Sequence, residues 1–256
     1  MQRLLVGILV LGGSMGLLNS AFALPGVPTK VPKTPDAANV PDLPDLPDMT
    51  VADMLKALDD ADRKLTRSAD RLFDSEMKLL EALGRADMAL DYRKKIAALQ
   101  AKGTSVERDA EMLALTTDQA IIDAMVEALK DKANKMNDER KRAARDATLG
   151  IAVARLMALA TTEDAGTVSG ATIKLNQRLA SGDDDAKEEV AEHASNGPVF
   201  VTGLGARAGG IKKAADAMAS QSKEVSQVMD KYRKKKSLFA PISAEEPKKL
   251  LEQSGF

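Results

Sequence analysis

The 256-residue chain has no cysteine, no tryptophan and a single histidine, His193. Without cysteine there is no disulfide, no thiol nucleophile, no thiolate metal site and no thiol for lipid attachment. A lone imidazole supplies neither a histidine pair for a metal nor a base beside a separate nucleophile. His193 lies next to Ala194 and three residues after Val190, which reads as a structural position on an apolar face. Aromatic residues make up only 3% of the chain, too few for base-stacking surfaces or an aromatic-rich sandwich core. Neither sign of charge dominates: 37 basic residues stand against 38 acidic ones, a formal net of −1. No global pull toward nucleic acid follows.

Long apolar runs are also missing, apart from the first residues. Met1-Gln2-Arg3 leads into Leu4 to Leu11, and Ala21-Phe22-Ala23 closes the segment, the three parts of a secretory signal peptide cleaved after Ala23. Gly12, Gly13, Ser14, Gly16 and Asn19 break the run before the roughly 18 apolar residues that a spanning helix needs. Residues 1–23 are therefore expected as a signal peptide. A cysteine-free exported chain fits a bacterial periplasm or the exterior. Removing Arg3 with the signal leaves 36 basic against 38 acidic residues, a net of −2.

Seven of the ten prolines fall between residues 24 and 49, ending in Pro-Asp-Leu-Pro-Asp-Leu-Pro-Asp from Pro41 to Asp48. Such a stretch cannot be helix or central strand, so 24–49 reads as an extended or disordered linker. From Thr50 the pattern changes. Val51, Leu58, Leu65, Leu72, Leu79 and Ala86 recur every seventh residue, with Leu55, Ala69, Leu83, Leu90 and Ala97 as a second row. Asp62 and Glu76 interrupt that second row. One helix from 50 to 101, about 75 Å long at about 1.5 Å per residue, is expected.

Gly103, Thr104 and Glu107 supply a C-terminal cap and a capping box for a second, antiparallel helix reaching about Ala160. It carries Leu115, Ile122, Leu129, Met136 and Ala143, with Val126, Ala133 and Ala147 beside them. Thr116-Thr117-Asp118-Gln119 repeats the capping pattern and marks a kink or restart. Residues 161–169 are small and polar and read as a loop. A shorter helix through Ile173, Leu175 and Leu179 stops at Ser181-Gly182. Asp183-Asp184-Asp185 opens another, with Ala186, Val190 and Ala194 inward, which ends at Asn196-Gly197-Pro198. The acids suit a helix N-terminus and lack the spacing of a calcium loop.

The stretch PVFVTGLGARAGG, Pro198 to Gly210, completes the dinucleotide pattern G-x-G-x-x-A at Gly203, Gly205 and Ala208. Yet Leu204, Ala208, Ile211, Ala215, Met218, Ser222, Val225, Met229 and Tyr232 follow at alternating steps of four and three. That helical stripe runs through the supposed turn, and no second strand or suitably placed acid follows. Gly203, Gly205, Gly209 and Gly210 then read as a hinge or a close-packing surface. Val199 to Val201 as extended chain before the helix stays open as an alternative.

Two basic clusters remain: Arg140-Lys141-Arg142 with Arg145, diluted by neighbouring acids, and the denser Lys231, Arg233, Lys234, Lys235 and Lys236 near Phe239. The second is the candidate interaction surface and suits anionic headgroups.

The expected architecture is all-α: a long antiparallel, coiled-coil-like hairpin packed with further helices as an elongated bundle over 50–236, then a 237–256 tail with a short helix. The expected function is a non-enzymatic scaffold, adaptor or chaperone-like protein of the bacterial cell envelope, periplasmic or secreted. It would work through a protein partner or self-association, with an anionic membrane surface as a further contact. No catalytic residue, metal site, cofactor, nucleic acid or small-molecule substrate is indicated. The alternative is a membrane-active, pore-forming type of protein that inserts Leu149 to Ala160 or Val199 to Ile211. An exported enzyme ranks third.

Overall fold

The computed structural model describes residues 46–102, 106–132 and 135–256. The signal peptide, most of the linker, the Thr104–Glu107 capping box and Ala133 lie outside the described residues. Eight helices are seen among the described ones: α1 (Val51–Ala82), α2 (Ala86–Gln100), α3 (Val106–Thr116), α4 (Gln119–Lys132), α5 (Asp138–Ser181), α6 (Asp184–Ala191), α7 (Gly197–Lys236) and α8 (Glu245–Gln253). No strand occurs among the described residues, and the helices pack as a bundle.

Thr50 opens α1 by accepting the Asp53 N–H at 3.1 Å, a standard N-cap that satisfies one of the orphan donors of the first turn. The expected 50–101 helix, however, is two helices. Gly84 sits at φ +79°, Gly84 N–H donates to the Glu81 carbonyl at 2.9 Å and Arg85 N–H to Leu80 at 2.8 Å. That pair of bonds is a Schellman cap, which needs a residue that tolerates the left-handed region. Both rows hold up to the break, with Leu65, Leu72 and Leu79 of the first and Ala69 and Leu83 of the second buried. Beyond it Ala86 and Ala97 are exposed and Leu90 is 52% exposed. The turn resets the helical phase, so Ala89, Tyr92, Ile96 and Leu99 face inward instead. α2 folds back along α1, with the rings of Phe73 and Tyr92 edge to face at 5.8 Å.

The expected second helix is likewise interrupted. It breaks at Thr117-Asp118, where the sequence carries its capping pattern, and Asp118 accepts the Ala120 N–H at 3.1 Å. α5 then starts at its own cap, Asn137, whose side chain accepts the Arg140 N–H at 2.9 Å. The new start changes the phase, so Ala143 is exposed and Ala144 buried.

The largest correction concerns residues 161–169, which are not a loop. α5 passes straight through them to Gly182, a left-handed cap at φ +86°. Thr161, Ala165 and Val168 are wholly buried, and the Thr161 hydroxyl donates to the Met157 carbonyl at 2.9 Å. Turning the Thr161 and Thr167 hydroxyls back onto their own helix removes their need for water. Burial of the intervening Ala and Val against α7 then outweighs the weak helix propensity of threonine and glycine. His193 is exposed, off the apolar face expected for it.

Three long helices form the frame. α5 runs antiparallel to α1: Lys64 pairs with Asp164 at 2.6 Å, and Arg140 Nε donates to the Ala82 carbonyl at 2.9 Å. It is also antiparallel to α7, as the Thr162–Asp216 bond at 2.9 Å and the approach of Thr172 to Gly205 show. Arg207 of α7 joins Asp62 of α1 at 2.5 Å, which accounts for the acid that interrupts the stripe. Every member of the Leu204 to Tyr232 stripe is buried.

α1 and α5 pack tightly at Ser75 and Gly150, where an added Cβ on Gly150 would overlap Ser75 Oγ. Gly150→Ala should therefore lower unfolding free energy by about 1–3 kcal/mol, as overpacking does. Ser75→Gly introduced with it should recover most of the loss in urea titrations. A double variant as unstable as the single one would mean that the crowding lies elsewhere.

Candidate functional site

The antiparallel pairing of α5 and α7 decides where the charges collect. Partners such as Thr162 and Asp216 set a register in which the first turn of α5 meets the last turn of α7, and Arg145 binds Glu246 at the start of α8 at 2.6 Å. Segments 138–146, 230–236 and 245–249 thus share one end. They carry eleven basic side chains against six acidic ones, a net of +5. At the opposite end the start of α1 meets the end of α5 and all of α6: Lys174 pairs with Asp48 at 3.0 Å, and the Val51 N–H donates to Glu189 at 2.5 Å. Segments 48–62 and 174–192 carry eleven acidic side chains against four basic ones, a net of −7. α5 alone is 44 residues, so the two ends lie about 60 Å apart.

Within the basic end, Arg233 and Lys234 close on Asp230 at 2.5 and 2.8 Å. The Lys234 and Arg233 hydrogen bonds hold the Asp230 carboxyl below its usual range. Lys231, Lys235, Lys236 and Lys249 form no ion pair among the described residues. Four basic residues in the last turn of α7 also oppose the partial negative charge of its unsatisfied carbonyls. Phe239 is partly buried and packs against the main core, so its ring is not held out toward solvent.

Within the acidic end, Asp183 caps α6 by accepting the Ala186 N–H at 3.1 Å and binds Arg178 at 2.7 Å. The Arg178 bond, then the Ala186 bond, lowers the Asp183 pKa. Among the described residues no group of three or more His, Asp or Glu side chains is arranged to hold a metal ion.

The glycine stretch is helical from Gly197 onward, so Val199 to Val201 is not extended and no phosphate-binding turn forms. The four glycines point different ways. A Cβ on Gly205 would meet Thr172 Oγ1 at 3.1 Å, whereas Gly203, Gly209 and Gly210 face open space. Close packing therefore describes Gly205 alone. Alanine at 203, 209 and 210 should stabilise α7 by about 0.5–1 kcal/mol each, because these glycines have helical φ and no neighbour to strike. Thermal melts check this, and a destabilised triple variant would show that the segment needs glycine for a bend. The segments Leu149 to Ala160 and Val199 to Ile211 lie inside α5 and α7, and no described helix is long and apolar enough to cross a membrane.

One buried polar site escaped the sequence reading. Glu76, wholly buried, accepts the Tyr92 hydroxyl at 2.7 Å, and its other oxygen has no partner. Burial raises the Glu76 pKa to about 8 against the smaller opposing pull of the Tyr92 bond, and burial also lifts Tyr92 well above its ordinary value. Glu76 and Tyr92 each stand eight residues from Gly84, a symmetry that becomes a signal only once the turn at Gly84 is known. Both groups are sealed in the core, which removes them from any substrate.

The surface of the described residues also carries indentations. An open groove of about 450 Å³ between α1 and α5 is lined by Arg71, Asp74, Lys78, Glu81 and Asp146. A smaller one of about 250 Å³ lies among Phe73, Ile96, Leu99, Arg108 and Met112. The class defined by fold and surface is a helical bundle with oppositely charged ends. No protein-family model, curated protein or solved structure matches the chain.

Proposed function

We propose that this chain is an exported, non-enzymatic adaptor or scaffold of the bacterial cell envelope, acting by macromolecular contact. The observation that carries the reading is the separation of charge between segments that meet at the two ends of the bundle, net +5 over 138–146, 230–236 and 245–249 and −7 over 48–62 and 174–192. A stiff body with two unlike ends selects a different partner at each, and electrostatic complementarity sets specificity and encounter rate more than affinity. The acidic end, with its exposed α6 acids Asp184, Asp185 and Glu188, suits a basic protein surface. The amino-terminal signal pattern and the proline-rich stretch support a reading in which the protein is exported and carried on a spacer.

A photoreactive residue at exposed position 188 of α6 tests this in intact cells. The expected result is a cross-linked protein adduct of defined mass, lost when Asp184, Asp185 and Glu192 are replaced by their amides. Absence of any adduct at position 188 would overturn the adaptor reading.

A further inference from the structure

We infer that the basic end of the bundle docks on a membrane surface of phosphate-bearing, anionic lipid headgroups. The inference goes beyond the adaptor reading and uses the opposite end of the molecule. Three separate elements deliver cations to one place: the first turn of α5, the last turn of α7 and the start of α8. Lys231, Lys235, Lys236 and Lys249 have no carboxylate partner among the described residues. Four of the six acids at this end are already engaged: Asp230 by Arg233 and Lys234, Glu246 by Arg145, Glu245 by Lys248 at 3.1 Å and Asp138 by Lys141 at 3.8 Å. The Ser243 N–H bond, then the Arg145 bond, lowers the Glu246 pKa, so that carboxylate stays ionised and occupied.

The neighbouring apolar groups argue for contact with headgroups rather than insertion. Phe239 packs against the core, and Tyr232 and Leu238 are buried. No large apolar side chain at this end is among the exposed ones, which are Leu90, Leu159, Ile173 and Val199. An interfacial anchor needs a buried apolar face as well as charge. Binding here is therefore electrostatic, and it falls with added salt over a Debye length of about 8 Å at physiological ionic strength. Lysine suits this role because its ammonium acts as a rotatable point charge that needs no fixed fork geometry.

The test is co-sedimentation of the purified chain of residues 24–256 with vesicles of a zwitterionic phospholipid and of the same lipid with a third replaced by an anionic phospholipid. Binding to the anionic vesicles alone is expected, weakening steeply as salt rises. Lys231→Gln, Lys235→Gln and Lys236→Gln together should weaken it about 100-fold, since each lysine near an anionic surface gives roughly a fivefold factor. Asp184→Asn with Asp185→Asn at the other end should leave it unchanged. Far-UV circular dichroism controls for folding, and Lys249→Gln alone, on α8, supplies a milder variant expected to lose about fivefold. Failure to bind anionic vesicles, equal binding by the triple variant, or equal binding to zwitterionic lipid would each overturn the inference. So would sedimentation without vesicles that the triple variant abolishes, because the basic end would then be meeting the acidic end of a second copy.

Discussion

Replacing Glu76 by glutamine is expected to stabilise the protein by about 3 kcal/mol at pH 7 and to change it little at pH 4. In the folded chain the carboxyl titrates at about 8, against 4.5 for the free group. Below pH 4.5 it is protonated in both states and contributes no difference. Between 4.5 and 8 the unfolded chain releases the proton while the folded chain keeps it, so stability falls as pH rises, by about 1.4 kcal/mol per pH unit. Above pH 8 the loss levels off near 5 kcal/mol. Glutamine keeps an acceptor for the Tyr92 hydroxyl and has no charge to lose. Its amide leaves one side unpaired as the protonated acid does, so the two are comparable hydrogen-bonding groups. Denaturant titrations of both proteins at pH 4, 6 and 8 should diverge steadily. Parallel curves would show that Glu76 is ionised in the fold, by water or a cation reaching its free oxygen.

Met218→Asp should be the most damaging single substitution on α7, lowering stability by about 4 kcal/mol or more. Met218 is 1% exposed and belongs to the main core with Leu72, Leu79, Ile151 and Val225. The aspartate would bring a charge into an apolar site, and removing the thioether would leave a void beside it. Ser220→Asp, two residues on and exposed, is the control and should shift stability by no more than about 0.5 kcal/mol. An unchanged melting temperature for Met218→Asp would detach α7 from the core and leave its stripe as a free surface.

The effects of both substitutions follow from packing, and they mark how far the residue pattern alone could reach. The stripe from Leu204 to Tyr232 was legible without a structure because a helix repeats every 3.6 residues, and one uninterrupted helix keeps that phase for its whole length. The same reasoning failed at the junction of α1 and α2 and along α2. A single left-handed residue at Gly84 rotates all that follows, and the arithmetic of sevens carries no trace of the rotation. It failed again at 161–169, where the residues are poor helix formers in isolation and are held by neighbours distant in sequence. The basic cluster at 231–236 was plain. That α5 and α8 bring further cations to it was not, because the register of α5 against α7 comes from contacts across 54 residues, such as Thr162 to Asp216.

By itself, then, the sequence determined the all-helical class, the buried face of α7, the cap at Ser181-Gly182 and the start of α6. Each rests on local signals: periodicity, a capping side chain, a glycine past the last turn. Only the tertiary structure decided that Glu76 is sealed beside Tyr92, that Asp62 finds Arg207, and that one end of the bundle is basic and the other acidic. Those facts depend on which helices lie side by side and in which direction. Direction and register are fixed by the summed burial of many small side chains across α1, α5 and α7, a quantity that no stretch of the chain carries alone.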